Sequence, residues 1–186
     1  MKLTTFAVAL AQASSVSGAA LAADENGPRN AISVHPFSLL AHGVALQYER
    51  YVSPRRFSLV LAAGFRSSSR GDYSSWVTTV GVEPRVWLAR AERPRHLGRD
   101  AMVGPYLGVR GDAAWLAMTD TTRNAWVGGN MGLSLVGSFG WRFTVSLVEL
   151  TPSFGVGART DIDPTGRLAA WVRPVYRLDW TVGWMF

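Results

Sequence analysis

Near the C-terminus, Pro174, Tyr176, Leu178, Trp180, Val182, Trp184 and Phe186 take every second position, and Arg177, Asp179, Thr181 and Gly183 fill the gaps between them. A period of two fits an extended strand with one apolar and one small or polar face, because successive side chains of a strand point to opposite sides. The same rhythm runs back through the chain. Val44, Leu46 and Tyr48 alternate with Ala45, Gln47 and Glu49; Phe57, Leu59, Leu61, Ala63 and Phe65 oppose Ser58, Ala62, Gly64 and Arg66. Val80, Val82, Pro84, Val86 and Leu88 oppose Gly81, Glu83 and Arg85, and Leu107 and Val109 oppose Gly108, Arg110 and Asp112. Strands are expected at 44–52, 57–66, 79–88, 103–113, 127–139, 143–156 and 174–186, with a bulge where the alternation slips at Val148 and Glu149.

An alternating chain can be a soluble sandwich or a membrane barrel, and composition bears on the choice. Of 186 residues 48% are hydrophobic and only 17% charged, against roughly 25% charged in ordinary soluble domains. No apolar run approaches the roughly 20 residues of a membrane helix. The absence of cysteine excludes disulfides, a thiol nucleophile and thiolate-ligated metals. Lys+Arg number 19 against 13 Asp+Glu, but the arginines are scattered singly through apolar segments. That distribution does not make a phosphate-tracking stripe, so no nucleic-acid partner is expected. The dense cluster Arg90, Arg93, Arg95 and Arg99 reads as one basic connection over residues 89–101.

The N-terminus reads as a targeting segment. Lys2 gives a positive start, residues 3–11 are mostly apolar, and Ala20 and Ala22 supply the small residues that a signal peptidase requires. Residues 1–22 are thus an expected signal peptide and 23–186 a single exported β-barrel domain.

Two features turn the alternating faces inside out. The terminal pattern Leu178, Trp180, Val182, Trp184, Phe186 resembles the C-terminal signal strand of bacterial outer-membrane barrels, which implies recognition by the barrel-assembly machinery. Aromatics also gather at strand ends: Trp76, Trp115, Trp126 and Trp171 near an outer rim, and Tyr48, Phe57, Tyr106, Trp141, Trp184 and Phe186 near an inner one. Two aromatic girdles flanking an apolar band are the mark of a transmembrane barrel. Closure requires an even strand count, so residues 31–39 are the candidate first strand despite Pro36, which removes a ladder donor. The outer connections then fall at 40–42, 67–74, 118–124 and 159–170, and the inner ones at 53–56, 89–101 and 140–141.

The whole pattern resembles the small eight-stranded outer-membrane barrels, the class with the OmpA-like transmembrane domain. Pro36-Phe37-Ser38-Leu39-Leu40, followed by Leu46-Gln47-Tyr48-Glu49-Arg50 and Ser53-Pro54, is similar to the opening of a family of small, functionally uncharacterised outer-membrane barrels. The resemblance implies an all-β, closed antiparallel up-and-down barrel in the outer membrane of a Gram-negative envelope. The resemblance carries no activity with it; contact with outer-membrane lipid and lipopolysaccharide and a monomeric state are expected of such a barrel, and no cofactor is expected.

The inward faces carry Glu49, Arg66, Glu83, Arg85, Arg110, Asp112, Glu149, Arg177 and Asp179. An eight-stranded barrel is only wide enough for side chains to fill, so these charges are expected to pair and close the lumen. A structural or surface-interaction role follows, with a narrow small-solute channel as one alternative. Another is an outer-leaflet lipid-modifying enzyme of the lipid A deacylase type, with His35, Ser38 and His42 as candidate residues. The compact His-x-Ser pattern associated with such enzymes is absent. Three dispersed histidines, His35, His42 and His96, and the pair Asp161 and Asp163 make no metal site. Arg-Gly-Asp occurs at 70–72 and again at 110–112; the first falls in an exposed connection, the second mid-strand.

Overall fold

The computed structural model describes residues 30–40, 42–52, 56–88, 103–162 and 172–186. The signal-peptide and basic-connection expectations, Trp171, His96 and Asp163 lie outside them. The described chain forms β1 (Asn30–Val34), a short helix α1 (Pro36–Leu40), β2 (Gly43–Val52), β3 (Phe57–Arg70), β4 (Tyr73–Trp87), β5 (Gly104–Asp120), β6 (Ala125–Val145), β7 (Val148–Ile162) and β8 (Arg173–Met185). Each strand pairs antiparallel with the next, and β8 returns to β1 through Trp184 opposite Ile32 and Val182 opposite Val34, so the eight strands close a barrel. Closure pairs the edges of the first and last strands over Ala31–Val34 and Val182–Met185, the part of the wall where a free edge would otherwise recruit another chain.

Alternation along each strand divides the wall into two faces of reversed polarity. Leu61, Val82, Val109, Leu135, Phe154 and Val182 project outward and are exposed. Gln47, Glu49, Glu83, Arg85, Arg110, Arg142 and Glu149 project inward and are buried. In a water-soluble domain the apolar face would be the covered one. At the end where Asn30 and Phe186 lie, Ala31 and Met185 pack with Val103 and Leu147 into a small apolar floor. Tyr51, Trp87 and Tyr106 form an aromatic layer of their own.

Several boundaries differ from the sequence reading. The first strand stops at Val34 and does not reach 39. Pro36 begins α1, a position where its missing N–H is no loss, and the last ladder-like bond is His35 N–H to the Ala45 carbonyl, 3.1 Å. The hairpin expected at 140–141 lies at Ser146 and Leu147, between Val145 and Val148, which pair. The apparent bulge at Val148 was this turn. Ser146 takes φ 57, a left-handed conformation usually left to Gly, Asn or Asp, so the sequence carried no turn signal. The register irregularity occurs instead between Met118 and Thr119. At the opposite end, β3 and β4 run on to a two-residue turn at Gly71 and Asp72, and β5 runs on to Asp120. Their polar tips read as loops, yet the ladder continues through them.

The ring is uneven. β1 spans 5 residues and β8 spans 13. Among the described residues nothing pairs with β8 on the β1 side from 173 to 181, and α1 lies against β2 and β8 beside this gap.

Candidate functional site

The polar lumen is the site, and inward positions two residues apart on neighbouring strands build it. Glu49 on β2 receives Arg85 Nη1 at 3.0 Å and also pairs with Arg142, while the Ser58 hydroxyl donates to its other oxygen. Glu83 receives Arg85 Nη2 at 3.1 Å and the Ser138 hydroxyl at 2.7 Å. Arg142, 1% exposed, also meets Glu149 through Nε at 2.9 Å. Its guanidinium carbon lies 4.8 Å from the Trp87 ring centroid, and that of Arg85 lies 4.3 Å from Tyr106. Flat cations stacked on aromatic faces are held by the ring quadrupole as well as by the carboxylates. Below them the Tyr51 hydroxyl accepts from Arg142 and donates to the Met185 sulfur.

A second layer sits toward the hairpin end. Arg110 Nε is 2.7 Å from Asp112 Oδ1, Arg177 Nη1 is 3.2 Å from Asp112 Oδ2, and Arg177 also pairs with Asp179. His35 lies behind α1 with Nδ1 3.8 Å from Asp179 Oδ1. The Gln47 amide nitrogen is 2.7 Å from His35 Nε2. Higher still, Arg159 Nε meets Asp161 at 3.1 Å. Between the layers, a cavity of about 10 Å³ touches Tyr106, Arg110, Ser138, Ser153 and Asp179, room for the centre of a single water.

The structure therefore brings eight of the nine inward charges named from sequence into ion pairs. Arg66 stands apart, exposed near the hairpin end. Arg142 was missed because it followed the residues taken for a turn. Tyr106, taken as an inner girdle residue, is fully buried in the lumen; its parity with Arg110 was the available signal. Gly140 explains its fit, since a Cβ there would run into the Tyr106 ring.

The Ser-His grouping is not assembled for nucleophilic chemistry in this arrangement. The Ser38 hydroxyl donates to the His35 backbone carbonyl at 2.6 Å and accepts from Ala45 N–H at 3.1 Å, so it braces the turn and does not face the imidazole. His42 has φ 56 and is exposed, with its carbonyl taking Ser67 N–H at 3.2 Å. Among the described residues no group of acidic or histidine side chains is arranged to hold a metal ion. Of the two Arg-Gly-Asp strings, Arg70-Gly71-Asp72 forms the β3–β4 tip, and Arg110 and Asp112 pair with each other inside the lumen.

No family model matches the chain, and no curated protein sequence does. Among solved structures, the crystal structure of a major outer membrane protein from Thermus thermophilus is similar at a TM-score of 0.40 and 18% identity, over 84% of this chain and 99% of that one. Likeness at that level transfers no residue role.

Proposed function

We propose that this chain is an integral outer-membrane β-barrel, non-conducting, whose role is structural or surface-interacting. The observation that carries the reading is the reversed polarity of the wall: paired Arg and Glu side chains are buried at its centre while Leu, Val and Phe cover its outside. Water would penalise that outer face, and a hydrocarbon layer about 25 Å thick would stabilise it. Trp76, Trp115 and Trp126 stand exposed toward the hairpin end, with Trp141 and Trp184 toward the termini, in support of two interfacial girdles. In this reading the termini face the periplasm, residues 1–22 direct export and are removed after Ala22, and the assembly machinery reads Leu178 to Phe186. The barrel is a monomer in contact with outer-membrane lipid and lipopolysaccharide.

The lumen supports a plugged barrel over a channel. Ion pairs fill the middle, and the floor of Ala31, Met185, Val103 and Leu147 lies beneath. The test is outer-membrane fractionation with a gel comparing boiled and unboiled protein. A mobility difference in the outer-membrane fraction is expected; mature protein soluble in the periplasm would refute the proposal.

A further inference from the structure

Above the ion-paired layers the lumen opens toward the hairpin end and becomes cationic. Between the layer of Asp112, Arg177 and Asp179 and the hairpin tips, the inward positions of the described strands carry Arg66 on β3, Arg159 on β7 and Arg173 on β8 against one carboxylate, Asp161. Arg66 shares the parity of the buried Ser58 and Val60, yet it is exposed, so the interior is not closed at its height. Thr79, Ala114 and Ser134, the small inward residues of β4, β5 and β6 near that height, are only half-buried.

The register brings Arg66 and Arg159 to one level. β3 and β7 are four strands apart in a ring of eight, so they face each other across the axis. Followed from partner to partner, Ile32 leads round to Pro174, whereas across the closure it stands opposite Trp184. Partners thus climb about ten residues toward the hairpin end per turn, and about five over the half-turn from β3 to β7. Arg159 leads back through Ser134, Asp112 and Gly81 to Ala62. On β3, the position level with Arg159 is therefore about five residues above Ala62, beside Arg66. Eight strands about 4.8 Å apart and tilted about 40° make a ring roughly 16 Å across, so arginines from opposite walls approach each other near the axis.

Arg159 is fixed in this opening. Asp161 holds its Nε at 3.1 Å, and its guanidinium lies over Gly132, where a Cβ would collide with it. Arg173 stands directly opposite Arg159 in the ladder, and like charges so placed repel. Arg66 makes no ion pair among the described residues.

We propose that the mouth of the lumen binds a phosphate group, held between Arg66 and Arg159. A guanidinium fork takes two oxygens of an oxyanion. Forks from opposite walls need oxygens on two sides of the ion, which tetrahedral phosphate has and a carboxylate, with only two oxygens, lacks. The site goes beyond the structural role proposed above. Only the side from which the ligand arrives rests on the outer-membrane reading.

The test is calorimetric titration of the folded barrel in maltoside micelles and phosphate-free buffer, with pyrophosphate as probe and acetate as control. Saturable binding of pyrophosphate and none of acetate is expected. Arg66→Gln and Arg159→Gln should each weaken it about tenfold, the loss of one charge-assisted contact, whereas Arg56→Gln, at the opposite end of the barrel, should leave it unchanged. A boiled and unboiled gel of each variant confirms that it is folded. Displacement of pyrophosphate by bis-phosphorylated lipid A added to the micelles would assign the phosphate to a lipid, and its failure to displace would assign it to a soluble ester. No saturable binding overturns the proposal. So does equal binding of acetate, and so does an equal loss with Arg56→Gln, which means general attraction to a basic protein. The micelle titration does not depend on the outer-membrane reading, whose own failure shows separately, as mature protein soluble in the periplasm.

Discussion

Arg85 Nη1 lies 3.0 Å from Glu49 Oε2, although 36 positions separate the two residues and both side chains are only 4% exposed. Glu49 also holds Arg142, so one carboxylate anchors two buried cations from different strands. Glu49→Ala would leave both guanidinium groups short of their shared partner. Breaking a buried pair from one side costs about 3–5 kcal/mol, and a loss of that size is expected in the unfolding free energy of vesicle-embedded protein in urea. The triple replacement Glu49→Leu, Arg142→Met and Glu149→Gln should recover much of it, because Arg142 also holds Glu149, so both its acidic partners go with it, and Arg85 keeps Glu83.

Gly140 and Tyr106 fit as groove and ridge, since a Cβ on Gly140 would overlap the ring. Gly140→Ala is expected to destabilise by about 1–3 kcal/mol, the usual cost of overpacking. Adding Tyr106→Leu should restore part of that loss in the same urea titration, whereas Tyr106→Leu alone should destabilise through the cavity it opens.

The lumen account predicts electrical silence. In planar bilayers the protein should show no steady conductance, and neutralising the upper layer with Arg110→Gln should not open it, because the aromatic layer and apolar floor lie below. A persistent conductance in the unaltered protein would count against a plugged barrel.

Depth in the membrane gives a graded expectation. Leu135 is outward-facing mid-strand on β6 and 61% exposed; Leu135→Arg should cost about 2–4 kcal/mol in vesicles, as a cation at the bilayer midplane does. Ser69→Arg, near the β3–β4 tip, should cost about 0–1 kcal/mol. Equal penalties at the two positions would contradict the placement of the apolar band.

The barrel was legible because its wall obeys one rule: from β2 through β8, apolar and polar residues alternate, and nothing but a strand satisfies a period of two. Glu83, Arg85, Arg110 and Asp112 could be assigned to one face by parity alone. What escaped was set by tertiary geometry. The β6–β7 turn depends on Ser146 in a left-handed conformation, for which no Gly or Asn announced it, and the misplaced turn hid Arg142. The hairpin tips beyond Ser67 and Met118 are polar on both faces, so hydrogen bonding alone keeps them in strands. The early end of β1 and the gap beside β8 follow from which strands pair across the closure, a relation between residues at opposite ends of the chain that no local pattern records.

The central claim is that the outward face of this wall meets lipid and the inward face does not, and a nitroxide scan along β6 tests it most directly. Single cysteines from Met131 to Phe143 in reconstituted protein would be read for collision with oxygen, which concentrates in hydrocarbon, and with a water-soluble nickel chelate. The account predicts a period of two, with labels at Leu133, Leu135 and Phe139 open to oxygen and closed to the chelate, and labels at Ser134 and Ser138 protected from oxygen. Chelate access at Leu135 equal to that of a label in water would show that the apolar face is not in a membrane.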